Sequence, residues 1–150
     1  HIALLSGLAF SITGLGNLMF TREWGKLGDR VGYEKVIIFL CFMCALIYLP
    51  QAWVSGIWLF IILRFLTGLF QGGIIPCRTA FFRQVAPHSI QGEILGYNMS
   101  FRFIGNFTGP MIGGFLAGIF GIPFVFYFTA ALFMISGLLL GYFYVKEHLQ

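Results

Sequence analysis

The residues from Gly92 through Gly114 constrain this chain more than any others, because they read as a membrane helix with a charge inside it. Arg102 stands about ten residues into an apolar span, roughly 15 Å deep at the α-helical rise, where an ionised group is costly unless it faces a bundle interior or water. One face of that helix must therefore be covered by something other than lipid. Gly105, Gly109 and Gly113 recur every four residues and make a stripe without side chains, along which a neighbouring helix can approach closely. Pro110 falls in the same run; it removes a backbone donor and bends the helix. Asn98, Arg102 and Asn106 share the spacing of four and form a polar stripe beside the glycines.

Composition agrees with a membrane setting. The 150 residues are 59% hydrophobic, 19% aromatic and only 9% charged, with a mean hydropathy of +0.90, well outside the range of soluble domains. The net charge of +4 does not build a nucleic-acid surface, because the basic residues lie in short connections between apolar spans and make no folded basic face. His1 stands where an initiator Met would, with an apolar span directly after it. The chain is thus expected to be part of a longer one, without a signal peptide, since no basic region precedes the first span and no small-residue cleavage site follows it.

Five spans of about twenty residues match a hydrocarbon core of about 30 Å. They run from Ile2 to Phe20, Val36 to Trp53, Ile57 to Thr79, Ile90 to Ile119 and Phe124 to Val145. Arg22, Lys26, Arg30 and Lys35 separate the first two spans, Arg78 and Arg83 the third and fourth, and Lys146 follows the fifth. The connections at 51–56 and 118–123 carry no charge. The positive-inside rule therefore places the basic connections and the C-terminus in the cytoplasm, and His1 outside. Trp53 and Trp58 flank the outer connection and fit an interfacial belt.

The spans sort into two kinds. The second and fifth are apolar nearly all round, as expected of helices bathed in lipid. The first, third and fourth carry polar stripes: Ser6, Thr13 and Asn17; Arg64, Thr67 and Gln71; Asn98, Arg102 and Asn106. These predict three inner helices facing a wet cavity, although Ser, Thr and Asn also bond simply to neighbouring membrane helices. Cys41 and Cys44 form a CxxC inside an apolar span, without the loop context of a redox or zinc site, and Cys77 stands alone, so all three read as small apolar filler. His88 and His148 have no partners at ligand spacing. Phe101 and Tyr97 lie close enough to the Arg102 stripe to touch an aromatic substrate. With no nucleophile and base pair, phosphate loop or metal cluster in the sequence, neither an enzyme nor a cofactor is expected.

The connection after the first span is the most specific signal: Gly25-Lys26-Leu27-Gly28-Asp29-Arg30-Val31-Gly32-Tyr33-Glu34-Lys35. Glycines at 25, 28 and 32 permit a tight turn and close helix contact, and Asp29 lies just before a helix whose N-terminal dipole favours an anion. The run resembles the signature loop of the major facilitator superfamily, with Gly25, Asp29, Arg30, Gly32 and Lys35 matching and Glu34 standing where a basic residue is usual. In that family the loop joins the second and third helices of a six-helix half and latches the cytoplasmic gate.

The same register is kept further on. Arg64 with Gly68 and Gly72 resembles the arginine motif of the fourth helix, with Thr67 replacing a frequent glutamine. Gly96, Gly105, Gly109, Pro110, Gly113 and Gly114 fit at every position the fifth-helix motif of drug and proton antiporters, whose implied role is to seal a helix interface against proton leak. The resemblance covers all 150 residues and is closest to multidrug efflux members. It implies an all-α integral membrane fold in which residues 1–150 form five transmembrane helices of one six-helix half, helices eight to twelve of twelve; an N-terminal half starting at its second helix is the competing placement.

The implied function is proton-coupled multidrug efflux by alternating access between two halves around a midplane site. Its partners are the lipid bilayer, a small lipophilic or amphipathic substrate, protons and a missing N-terminal half, in a bacterial plasma membrane. Glu23, Asp29, Glu34, Glu93 and Glu147 all lie in or near cytoplasmic connections, and arginine does not titrate, so a coupling carboxylate is expected in the missing half. Arg64 is assigned to the charge network that orients it, and Gln71, Asn98, Arg102 and Asn106 to the cavity wall. Transport of one specific metabolite or sugar, and a truncated membrane module without transport, are the alternatives.

Overall fold

A computed structural model describes the backbone of residues 2–149, and their side chains except at 2–6, 9 and 148. It contains five helices: α1 (Ile2–Val31), α2 (Tyr33–Gln51), α3 (Ile57–Val85), α4 (Gln91–Phe120) and α5 (Ile122–His148). Among the described residues, α2 to α5 are long and apolar enough to cross a membrane. The first expected span begins on residues whose side chains lie outside the description, as do the side chains of Ser6 and His148. A 30-residue helix such as α4 is about 45 Å long, enough to cross the hydrocarbon core and both interfaces.

The expected loop at 25–35 is not a loop. α1 runs through Gly25, Gly28, Asp29 and Arg30 to Val31, and only Gly32 lies outside helix before α2 begins. Gly32 has φ of +104°, a conformation that side-chain-bearing residues rarely adopt, so the reversal is concentrated at this residue. Arg78 and Arg83, expected in a connection, likewise lie inside α3, which continues to Val85.

The core is built around α2, contrary to its expected place in lipid. Tyr33, Val36, Ile37, Leu40 and Cys41 cluster with Cys77 of α3, against Trp24 of α1 and Phe133 of α5. Cys44 and Tyr48 continue the cluster to Ala130 of α5. Cys44, Cys77 and Leu40 are fully buried, so the CxxC faces packed protein rather than lipid, with its thiols free. Lipid tails and neighbouring side chains are both apolar, and an all-apolar surface does not distinguish them. α5, in contrast, exposes most of its side chains, among them Leu138, Leu139 and Tyr142. Among the described residues α4 touches only α3 and α5, and none of its residues is buried.

Candidate functional site

α1 and α3 cross with almost no side chain between them. A Cβ added to Gly16 would stand 2.6 Å from the Phe65 carbonyl oxygen, and one on Gly72 would stand 2.7 Å from the Asn17 Cα. One on Gly68 would collide with the Thr13 backbone. Glycine is what permits this approach, and backbone packing replaces the hydrophobic drive that lipid cannot supply.

A largely apolar groove with a few polar groups runs beside the crossing. Its volume is about 460 Å³, and its walls include Thr13, Asn17 and Thr21 of α1, and Gln71 and Pro76 of α3. Pro76 has no N–H, which leaves the Gly72 carbonyl four residues earlier without its helical donor. The Thr21 hydroxyl donates to the Asn17 carbonyl of its own helix and lies 3.3 Å from the Gly72 carbonyl, so a side chain of α1 stands at the gap that Pro76 makes in α3. The Asn17 Oδ1 is buried without a hydrogen-bond partner. Lower down, Trp24 Nε1 donates to the Leu69 carbonyl at 2.8 Å, and its ring leans on Phe70 and Phe39.

Of Arg64 and the four residues expected in the cavity wall, only Asn98 and Arg102 share a cavity. Gln71 lines the α1–α3 groove. Asn98 and Arg102 line a separate cleft between α3 and α4, with Arg78 and Arg83. Asn106 is exposed on α4. Arg64 turns toward α5, its guanidinium 5.1 Å from the Phe60 ring centre and 5.5 Å from that of Phe126, a cation–π setting. Thr67 leaves the expected wet stripe altogether: it is fully buried, accepting a hydrogen bond from Gln51 Nε2 at 2.8 Å and donating to the Leu63 carbonyl.

At the α1–α2 reversal, a Cβ on Gly28 would collide with the Tyr33 ring, and the Tyr33 hydroxyl donates to Asp29. Gly28 and Asp29 thereby hold the buried tyrosine that starts the core. Gly25, Arg30 and Lys35 lie around this reversal, with Lys35 Nζ 5.9 Å from the Tyr144 ring centre. Lys26 donates to Glu23 at 2.8 Å, and that hydrogen bond with the lysine charge holds the exposed Glu23 carboxyl below its ordinary value.

The glycine stripe of α4 is open. Added Cβ atoms at Gly96, Gly105, Gly109 and Gly114 would meet nothing within 4 Å, and one at Gly113 would only touch Val125 at 3.9 Å. The helix continues through Pro110. Residues that the sequence did not single out are Thr21, Gln51 and the buried part of Arg78. Thr21 had a signal, since Thr13, Asn17 and Thr21 keep a spacing of four. The pairing of Gln51 with Thr67 had none, because only packing of α2 on α3 brings them together.

Comparison with known proteins follows this geometry. Residues 3–150 match the sequence profile of the Major Facilitator Superfamily. The chain is 47% identical over 140 residues to an uncharacterized MFS-type transporter, YuxJ, of Bacillus subtilis (strain 168), covering 93% of this chain and 36% of that protein. It is 35% identical over 136 residues to the multidrug resistance protein MdtG of Dickeya zeae (strain Ech586), covering 91% of this chain and 33% of that one. To MdtG of Proteus mirabilis (strain HI4320) it is 39% identical over 132 residues, covering 87% of this chain and 33% of the relative. The chain thus spans about a third of the length of the curated relatives it matches.

Proposed function

This chain belongs to the Major Facilitator Superfamily, and from that premise we propose that it supplies helices eight to twelve of a twelve-helix, proton-coupled multidrug efflux transporter. The observation that carries this reading is the groove between α1 and α3, where Asn17, Thr21 and Gln71 place polar groups along apolar walls. An apolar pocket with a few oriented polar groups is what a lipophilic or amphipathic solute requires. The MdtG relatives, named as multidrug resistance proteins, favour drugs over a single metabolite.

In this proposal the rest of the protein supplies the partner half, and alternating access comes from rocking of the halves around the groove. The coupling proton is carried by a carboxylate of that other half, because the acids of this chain cluster near the α1–α2 reversal and at helix ends. Arg64, set between two aromatic faces, orients that carboxylate, while Asn98, Arg102 and Asn106 on α4 line the path on the open side. Gly25, Gly28, Asp29, Arg30, Gly32 and Lys35 form the cytoplasmic latch. Gly96, Gly105, Gly109, Pro110, Gly113 and Gly114 receive a helix of the other half and seal it. The basic turns and the end of α5 face the cytoplasm of a bacterial inner membrane.

The test is dye efflux from cells that lack their own pumps and express the full-length protein. Gln71→Ala and Asn17→Ala are each expected to slow ethidium efflux about tenfold, the effect of losing one oriented hydrogen bond, at unchanged expression. Unchanged efflux in both variants removes the groove from the transport path. Saturable movement of one polar solute without dye export replaces this reading with metabolite transport.

A further inference from the structure

We infer that the cleft between α3 and α4 is a binding site for a phosphate-type oxyanion, an assignment that goes beyond the transport reading and does not depend on it. Arg78 and Arg83 of α3 and Arg102 of α4 converge on a cavity of about 240 Å³, with Asn98 in its wall. No carboxylate lines it. Among the described residues the one salt bridge is between Lys26 and Glu23 on α1, so none of the three guanidinium groups has a carboxylate in contact. Like charges gathered at the edge of a membrane are unfavourable unless a counter-charge joins them.

Arg78 supplies an independent indication. Its Nε is buried and has no hydrogen-bond partner, and a buried charged donor left unpaired is costly. Arg78 itself lines the cleft, so an anion bound there would offset that cost. Guanidinium groups bind phosphate oxygens through paired, charge-assisted hydrogen bonds, and two or three arginines around one cavity match a tetrahedral oxyanion.

Position in the membrane narrows the source. Arg83 lies close to the end of α3 at Val85. By the helical rise, Arg78 is about 10 Å and Arg102 about 16 Å in from the α3–α4 turn. The cleft therefore runs from headgroup level into the hydrocarbon, with Arg102 at its deep end. Two sources reach it with the same chemistry: the phosphate of an anionic lipid in the leaflet at that turn, and a phosphate solute in the water beyond it.

The experiment uses the full-length protein in detergent. Retention of phosphatidylglycerol against phosphatidylcholine is read by native mass spectrometry, and the unfolding temperature is read with inorganic phosphate against chloride at equal ionic strength. Selective retention of phosphatidylglycerol assigns the site to lipid, whereas stabilisation by phosphate without lipid preference assigns it to a solute. In either case Arg102→Gln and the double variant Arg78→Gln/Arg102→Gln are expected to weaken binding about tenfold or more. Arg22→Gln/Lys146→Gln, which removes the same charge elsewhere, is expected to leave it unchanged. Should the double variant fail to fold, Arg102→Gln decides alone, because Arg102 is exposed on α4 and its truncation leaves the packing intact. The inference is overturned if neither ligand separates the wild type from Arg102→Gln, or if the control variant loses as much binding.

Discussion

Gln51 falls in a stretch that carries no charge and reads as an outer connection, yet it is only 3% exposed and donates to Thr67 Oγ1 at 2.8 Å. It also donates to the Ile47 carbonyl of its own helix, so one amide ties the end of α2 to the middle of α3. Removing either partner leaves a buried polar atom behind, whereas removing both leaves an apolar contact. Gln51→Leu and Thr67→Val are each expected to cost about 1 kcal/mol. The double variant should cost less than their sum, as measured by a double-mutant cycle on unfolding in detergent; strict additivity would mean that the bond contributes nothing. Residue roles of this kind were only partly legible. Asn17, Arg64 and Gln71 stood out because polar groups in apolar spans are rare, but which neighbour each one meets depends on how the helices are rotated. Arg64 turns to Phe60 and Phe126 while Gln71, two turns along the same helix, faces α1.

At the scale of elements, two sets of glycines behave differently. Gly105, Gly109 and Gly113 announce themselves by their spacing, yet nothing among the described residues packs closely on them. Gly16, Gly68 and Gly72 make the close crossing of α1 and α3, and only the latter two belonged to a recognisable motif. Gly16→Ala should therefore destabilise the protein by about 1–3 kcal/mol, as overpacking against a backbone does. Gly105→Ala in a chain of residues 1–150 should stay within about 0.5 kcal/mol of the parent. Thermal unfolding in detergent reads both, and equal effects would contradict the crossing. The ends of the elements were close to expectation for α2 and α4. The signature run at 25–35 was not, since a glycine-rich, charged sequence looks like a loop unless the helix is known to carry on to Gly32. Lys26 in it stands three residues after Glu23 and pairs with it, a spacing that stabilises helices.

For the whole molecule, the chain is an integral, multi-pass membrane protein whose five helices make most of one six-helix half of a Major Facilitator Superfamily fold. Its packed centre is asymmetric: α2 is enclosed by α1, α3 and α5, while α4 stands at the edge with no buried residue. The cysteines report on this directly. Cys44 and Cys77 are fully buried and Cys41 is 4% exposed, so a membrane-permeant maleimide should label none of them in the folded protein and all three after denaturation. Rapid labelling of Cys41 or Cys44 in the native state would return α2 to the lipid-facing role that its composition suggested.

Sequence alone determined the solvent, the number of the helices and the family, because bilayer thickness and the cost of charge in lipid act on composition and spacing residue by residue. Arg102 within an apolar run and the glycine and proline pattern of α4 needed no coordinates to be significant. Tertiary structure alone decided which helix is central, which glycines are contact points and which polar residues share a cavity. Lipid and protein interior are equally apolar environments for a side chain. The choice between them, and the rotation that brings Thr67 to Gln51 or Arg78 to Arg102, is made only when one helix packs against another.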